Sequence, residues 1–140
     1  MYFHYKSLQI IVLNLDSISH FFTIKIRVYS NLTMTNSKIE QLLEFLKEDP
    51  KDSFTLYALA LEYEKYDDKK AKEYYDLLLK EYSDYLATYY QAGKWYEKSD
   101  KEFSKEIYKK GMAVAQKQGK TKTYSELQNA LNVLLDEEDD

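Results

Sequence analysis

From Ser53 onward, apolar residues recur at helical spacing. Leu56, Leu59, Ala60 and Tyr63 stand at i, i+3, i+4 and i+7, and the same spacing returns after Asp67-Asp68 in Ala71, Tyr74, Tyr75 and Leu78. On a helix such positions share one face, so the pattern predicts two amphipathic helices joined by a short polar turn. A second pair follows in Tyr89, Ala92, Gly93 and Tyr96, then Ser104, Ile107, Tyr108 and Gly111, with Ser99 and Glu102 spaced as a capping box before the latter. Upstream, Ser37 and Glu40 have the same cap spacing ahead of Ile39, Leu42, Leu43 and Leu46, a stripe that stops before Pro50. Downstream, Gly119 is expected to break the helix. Thr123 with Glu126 is expected to restart it, with Tyr124, Leu127, Leu131 and Leu134 as its apolar face.

The two pairs are copies of one another. Laid over each other at an offset of 33 residues, Thr55 meets Thr88, Tyr57 meets Tyr90, and Tyr63-Glu64-Lys65 meets Tyr96-Glu97-Lys98. The match runs on through the turn, with Asp67 on Asp100, Lys72-Glu73 on Lys105-Glu106 and Tyr75 on Tyr108. A period in this range signals stacked repeats, each too small to bury its apolar face alone.

The residues Leu56-x-x-Leu59-Ala60-x-x-Tyr63 with Ala71-x-x-x-Tyr75, and Tyr89-x-x-Ala92-Gly93-x-x-Tyr96 with Ser104-x-x-x-Tyr108, resemble the tetratricopeptide repeat. The resemblance covers 37–135 and implies an all-α fold, a right-handed superhelix of antiparallel helix pairs with about six helices. It divides the chain into a flanking helix (37–49), repeat 1 (53–85), repeat 2 (86–118) and a C-terminal capping helix (121–135). The small residues Ala60, Gly93, Ala71 and Ser104 would then lie where paired helices come closest, and Tyr63, Tyr75, Tyr96 and Tyr108 would fill the gaps between pairs. Both copies are one residue shorter between Tyr and small residue than the usual repeat, which implies a tighter turn. Pro50 ends one repeat, but Ser83 stands at the next such place, and Leu78 sits where a small residue is usual.

Composition narrows the function. The 140 residues suit one domain, and three Gly and one Pro leave little irregular chain. A net charge of −4 with interleaved signs offers no positive field for nucleic acid or an anionic membrane surface. Cysteine is absent, which excludes disulfides, thiolate metal sites and cysteine nucleophiles. Residues 1–33 carry one carboxylate, Asp16, whereas 34–140 hold all the others. This change marks 1–33 as a non-native or disordered extension, with Met34 as the expected true start. It contains no apolar run long enough to span a membrane. The domain proper is 34–140, and cytoplasmic location is the expectation once the leader is set aside.

The domain has neither His nor Cys, so the common acid–base and nucleophilic groups are missing. Glu62 and Glu64, and Asp67 and Asp68, read as surface charge and capping, while Gly93, Gly111 and Gly119 form no phosphate cradle. No catalytic residue, cofactor or metal is expected. The resemblance implies instead a concave groove lined by the first helix of each pair, here Phe54, Tyr57, Leu61, Glu64 and Lys65, with Tyr90, Lys94, Glu97 and Lys98. Trp95 reads as packing beside the Tyr96 stripe. The Lys, Asn and Arg clamp of chaperone-binding relatives is not reproduced, since Tyr57, Ala58 and Leu61 stand where it needs polar donors. The expected partner is a protein or peptide held by Tyr57, Leu61, Tyr90 and Lys94. The alternative is self-assembly into a homodimer or oligomer.

Overall fold

A computed structural model of the chain describes residues 38–136, and the reading of 1–33 and the Ser37 cap lie outside them. Its contacts fall into two units divided between Gln41 and Leu42, and the account below concerns the second. Helix α1 covers 38–48, and from it Leu42 is buried and Leu46 packs against the core. Then come α2 (Ser53–Tyr63), α3 (Asp68–Glu81), α4 (Ala87–Tyr96), α5 (Lys101–Lys117) and α6 (Thr121–Asp136). Among the described residues there is no strand.

Most of the predicted stripes are the buried faces of their helices, but Tyr74 on α3 and Tyr124 on α6 are half-buried, and Leu42 is the buried residue of the α1 stripe. Leu56, Leu59, Ala60 and Tyr63 are buried on α2, and Tyr89, Ala92, Gly93 and Tyr96 on α4. Ala71, Tyr75 and Leu78 do the same on α3, and Ser104, Ile107, Tyr108 and Gly111 on α5. Helices α2 and α3 form one packed pair, α4 and α5 the next, and α6 packs on α5 and touches α4. Helices α3 and α4 meet over much less of their length. Side chains bridge that thinner junction. The Tyr96 hydroxyl donates to Asp76 across it, and Trp95 lies 5.9 Å from Tyr75 between ring centres, while Gln118 Nε2 at the end of α5 donates to the Asp84 carbonyl in the α3–α4 loop at 2.7 Å. Tyr75 and Tyr96 therefore reach between pairs as expected. Tyr63 instead stacks on Tyr74, and Tyr108 lies against Tyr90, each within its own pair.

The tight turn is the same in both copies. In the first, the amides of Glu64, Tyr66 and Asp67 donate to Ala60, Tyr63 and Tyr63; in the second, those of Glu97, Ser99 and Asp100 donate to Gly93, Tyr96 and Tyr96. Asp67 (φ −149°, ψ 87°) then caps α3 by accepting from the Lys70 amide, and Asp100 (φ −152°, ψ 86°) caps α5 by accepting from the Phe103 amide. The cap of α5 is thus Asp100, not Ser99. A carboxylate in extended backbone one residue nearer the helix reaches the free amides of the first turn and leaves the Ser99–Glu102 pair without that role. Helix α6 begins at Thr121, where the capping helix is expected to begin, so the Thr123–Glu126 pair lies inside it and does not start it. Gly119, at φ +67°, reverses the chain in a conformation that side chains with a Cβ resist, so the new helix starts almost at once.

The second pair approaches closely at its glycines. A Cβ built on Gly93 would stand 2.3 Å from Tyr108 Cε1, and Ser104 Oγ donates to the Gly93 carbonyl at 2.8 Å. One on Gly111 would meet Tyr89 Cβ at 2.5 Å. The pairs differ at their first caps. Asp52 accepts from the amides of Phe54 and Thr55 and from the Thr55 hydroxyl, but its equivalent is Tyr85, and α4 has no side-chain cap. Thr88, equivalent to Thr55, is therefore the buried side chain that, among the described residues, has a hydroxyl without a partner.

Two stability measurements check this packing. Gly93→Ala is expected to destabilise the chain by about 1–3 kcal/mol in urea unfolding, although alanine favours helix, because Tyr108 must move. Thr55→Val is expected to cost about 1 kcal/mol, whereas Thr88→Val is expected to be neutral or stabilising, since only the first removes a hydrogen bond.

Candidate interaction surface between α4 and α6

Tyr90 and Lys94 lie one turn apart on α4, on the side away from the buried stripe. Both open onto a hollow of about 540 Å³ whose other wall is α6, through Glu126, Asn129, Ala130 and Val133. Tyr90 is 37% exposed and Val133 54%, so a ring and an aliphatic side chain face solvent across the same opening. Isolated exposed apolar residues are ordinary, but an aromatic and an aliphatic converging on one concavity have the composition of a recognition surface.

The wall is held from beneath. Tyr108, buried on α5, donates its hydroxyl to Glu97 Oε1 at 2.5 Å, and Lys94 Nζ donates to Glu97 Oε2 at 3.1 Å. One carboxylate thus ties a core tyrosine to the ammonium at the mouth of the hollow. The first pair repeats the inner half of this arrangement, with the Tyr75 hydroxyl donating to Glu64 at the equivalent positions. Leu61 replaces Lys94 there, so no cation is attached. Burial first, and then the facing carboxylate, raises the hydroxyl pKa of both tyrosines far above the usual phenol range. Tyr96 is pushed up to about 12, by burial and then by its hydrogen bond to Asp76.

The residues expected in a groove are thus distributed unevenly. Tyr90 and Lys94 line the hollow, while Glu97 fixes Lys94 from behind it. On α2, Tyr57 is half-buried, packed edge-on against Tyr85 with ring centres 5.8 Å apart, and Leu61 is half-buried. Glu64 serves Tyr75, and Lys65 pairs with Glu62 at 2.9 Å. Phe54 and Lys98 are exposed. None of these α2 residues lines the hollow. Trp95 packs between Tyr75 and Tyr96, as expected. Glu62 is not surface charge: it is 4% exposed, because it falls on the buried side of α2 next to Tyr63. The α6 wall was missed because Asn129 and Val133 lie off the apolar stripe of that helix. The signal for it was Val133 itself, an aliphatic residue on the polar side.

Among the described residues, no group of three or more His, Asp or Glu is placed to hold a metal ion, and no helix is long and apolar enough to cross a membrane. No family model and no curated protein matches the chain. Solved structures do. A solution NMR structure of a tetratricopeptide repeat domain protein from Salinibacter ruber is 40% identical, covering 61% of this chain and 89% of that one, with a TM-score of 0.58. A crystal structure of a tetratricopeptide repeat domain protein from the same organism is 38% identical, covering 60% of this chain and 96% of that one, with a TM-score of 0.56.

The tyrosine–carboxylate bonds set an alkaline limit. Tyr96 keeps its proton in the folded chain to about pH 12, while the unfolded chain releases it near 10.0. Its contribution is therefore complete below the lower value and lost as pH rises through the upper one, and Tyr75 and Tyr108 act in the same direction. Helix content and tyrosinate absorbance are expected to change together above about pH 10. Tyr96→Phe is expected to soften the loss. Ionisation of all tyrosines well before any loss of helix would contradict the arrangement.

Proposed function

The chain belongs to the tetratricopeptide repeat family of non-catalytic protein-interaction scaffolds, and on that footing we propose that it receives a segment of another protein in the hollow between α4 and α6. The observation that carries this reading is the convergence of Tyr90 and Val133 on one opening already rimmed by Lys94, Glu126 and Asn129. Tyrosine offers a large apolar face and a hydroxyl at little conformational cost, which concentrates binding energy. Asn129 adds an amide that both donates and accepts, suited to the backbone of a bound segment. A prearranged wall lowers the cost of binding further, since Glu97 already holds Lys94 in place.

The α2 surface takes a smaller part in this reading than the sequence suggests. Tyr57 is engaged with Tyr85, and Leu61 carries no polar handle. The segment would cross α4 and α6 first and extend toward α2 only at its end.

Affinity capture from the native cell tests the proposal, with the full chain as wild type and as the Tyr90→Ala, Val133→Asp double variant. Val133 is well exposed, but the Tyr90 ring is 37% exposed and lies against Tyr108, so stability is expected to fall by about 1 kcal/mol while the chain stays folded. Captured partners are expected to fall by roughly tenfold or more, as for loss of an aromatic anchor. Full retention of every partner would remove the hollow as the site. Sedimentation over a range of concentrations accompanies it. A dimer that the same double variant dissolves would assign the hollow to self-assembly.

A further inference from the structure

The two charges that line the hollow, Lys94 and Glu126, are not equally available, and the difference selects among partners. Lys94 is the cation on the α4 wall, but its ammonium is 3.1 Å from Glu97, which is itself fixed by the Tyr108 hydroxyl. An incoming carboxylate would have to displace an internal one that a buried tyrosine holds in place. The α6 wall is different. Glu126 lies in the hollow, and its partner Lys122, one turn back, stands 3.8 Å away with a side chain 91% exposed. An ion pair so solvated contributes a few tenths of a kcal/mol and exchanges readily. Of the two charges that line the hollow, Glu126 is therefore the more easily reached.

Resting on the reading above, we propose that the hollow is selective for a basic, amphipathic segment. An apolar side chain of that segment packs on Tyr90, Ala130 and Val133, and a neighbouring Lys or Arg displaces Lys122 from Glu126. The Tyr90 ring, with its negative face, adds a second surface for the cation. Segments ending in a free carboxylate or rich in Asp and Glu are disfavoured, because Lys94 is already paired with Glu97 and Glu126 repels them. Binding weakens with added salt, since the deciding charges are exposed.

A phage-displayed library of random peptides, selected on the immobilised full chain, tests this. The recovered consensus peptide is synthesised with a fluorescent label and measured by anisotropy. Expected is a consensus with Lys or Arg within a helical turn of Leu, Ile, Phe or Trp. Its affinity should drop roughly tenfold or more in both Tyr90→Ala and Glu126→Lys, and less in Glu126→Gln. Glu126 is half exposed, so its variants should keep wild-type melting. A consensus that needs Tyr90 but is acidic, or is indifferent to Glu126→Lys, overturns the selectivity and leaves the hollow as the site. Peptides that bind equally well without Tyr90 and Val133 overturn both.

Discussion

Everything in the second helix pair depends on how closely α4 and α5 approach at Gly93. With no side chain there, the Tyr108 ring lies over the backbone of α4, and Ser104 can donate to the Gly93 carbonyl. From there the Tyr108 hydroxyl reaches Glu97, as the Tyr75 hydroxyl reaches Glu64 in the first pair, where Ala60 takes the place of Gly93. Glu97 in turn holds Lys94, and Lys94 stands at the mouth of the hollow. A packing constraint in the core is thereby transmitted, one contact at a time, to the electrostatics of the surface. The first pair has the Tyr75–Glu64 contact but Ala60 and Ala71 at the close approach, and its chain of contacts ends at Leu61.

The two copies show which parts of a repeat tolerate divergence. Their turns share three backbone hydrogen bonds, the first adding one from the Lys65 amide to the Glu62 carbonyl, and both place an Asp in nearly the same conformation ahead of the second helix. Their first caps do not agree. Asp52 satisfies two amides and the Thr55 hydroxyl, while Tyr85 at the matching position turns its ring toward Tyr57 and leaves Thr88 unsatisfied. The turn sets how the two helices of a pair cross, so an error there would propagate. A missing cap costs about 1 kcal/mol locally and changes no direction.

Much of this architecture was legible in the residues. Period and stripe were enough for the helix pairs, because a buried face must recur at helical spacing whatever the partner. The small residues at the close approach were legible for the same steric reason. Cap positions were not, since Ser99 and Asp100 are adjacent and both are able to cap, and only backbone conformation decides between them. Half of the candidate site was also out of reach. Tyr90 and Lys94 followed from the repeat, but the opposite wall depends on where α6 settles after Gly119, which no local pattern encodes. The burial of Glu62 and Lys105 is a matter of packing around each helix, where a long polar side chain can lie along an apolar surface.

Contacts are dense within pairs and sparse between α3 and α4, where Tyr96 and Trp95 bridge the gap. Stiffness is therefore unevenly distributed along the array. Under load each hairpin would behave as a rigid bar, and elastic strain would collect at the joint between Asp76 and Tyr96. The hollow lies on the far side of that joint, and its two walls, which barely touch each other, are tied together through α5, on which both pack.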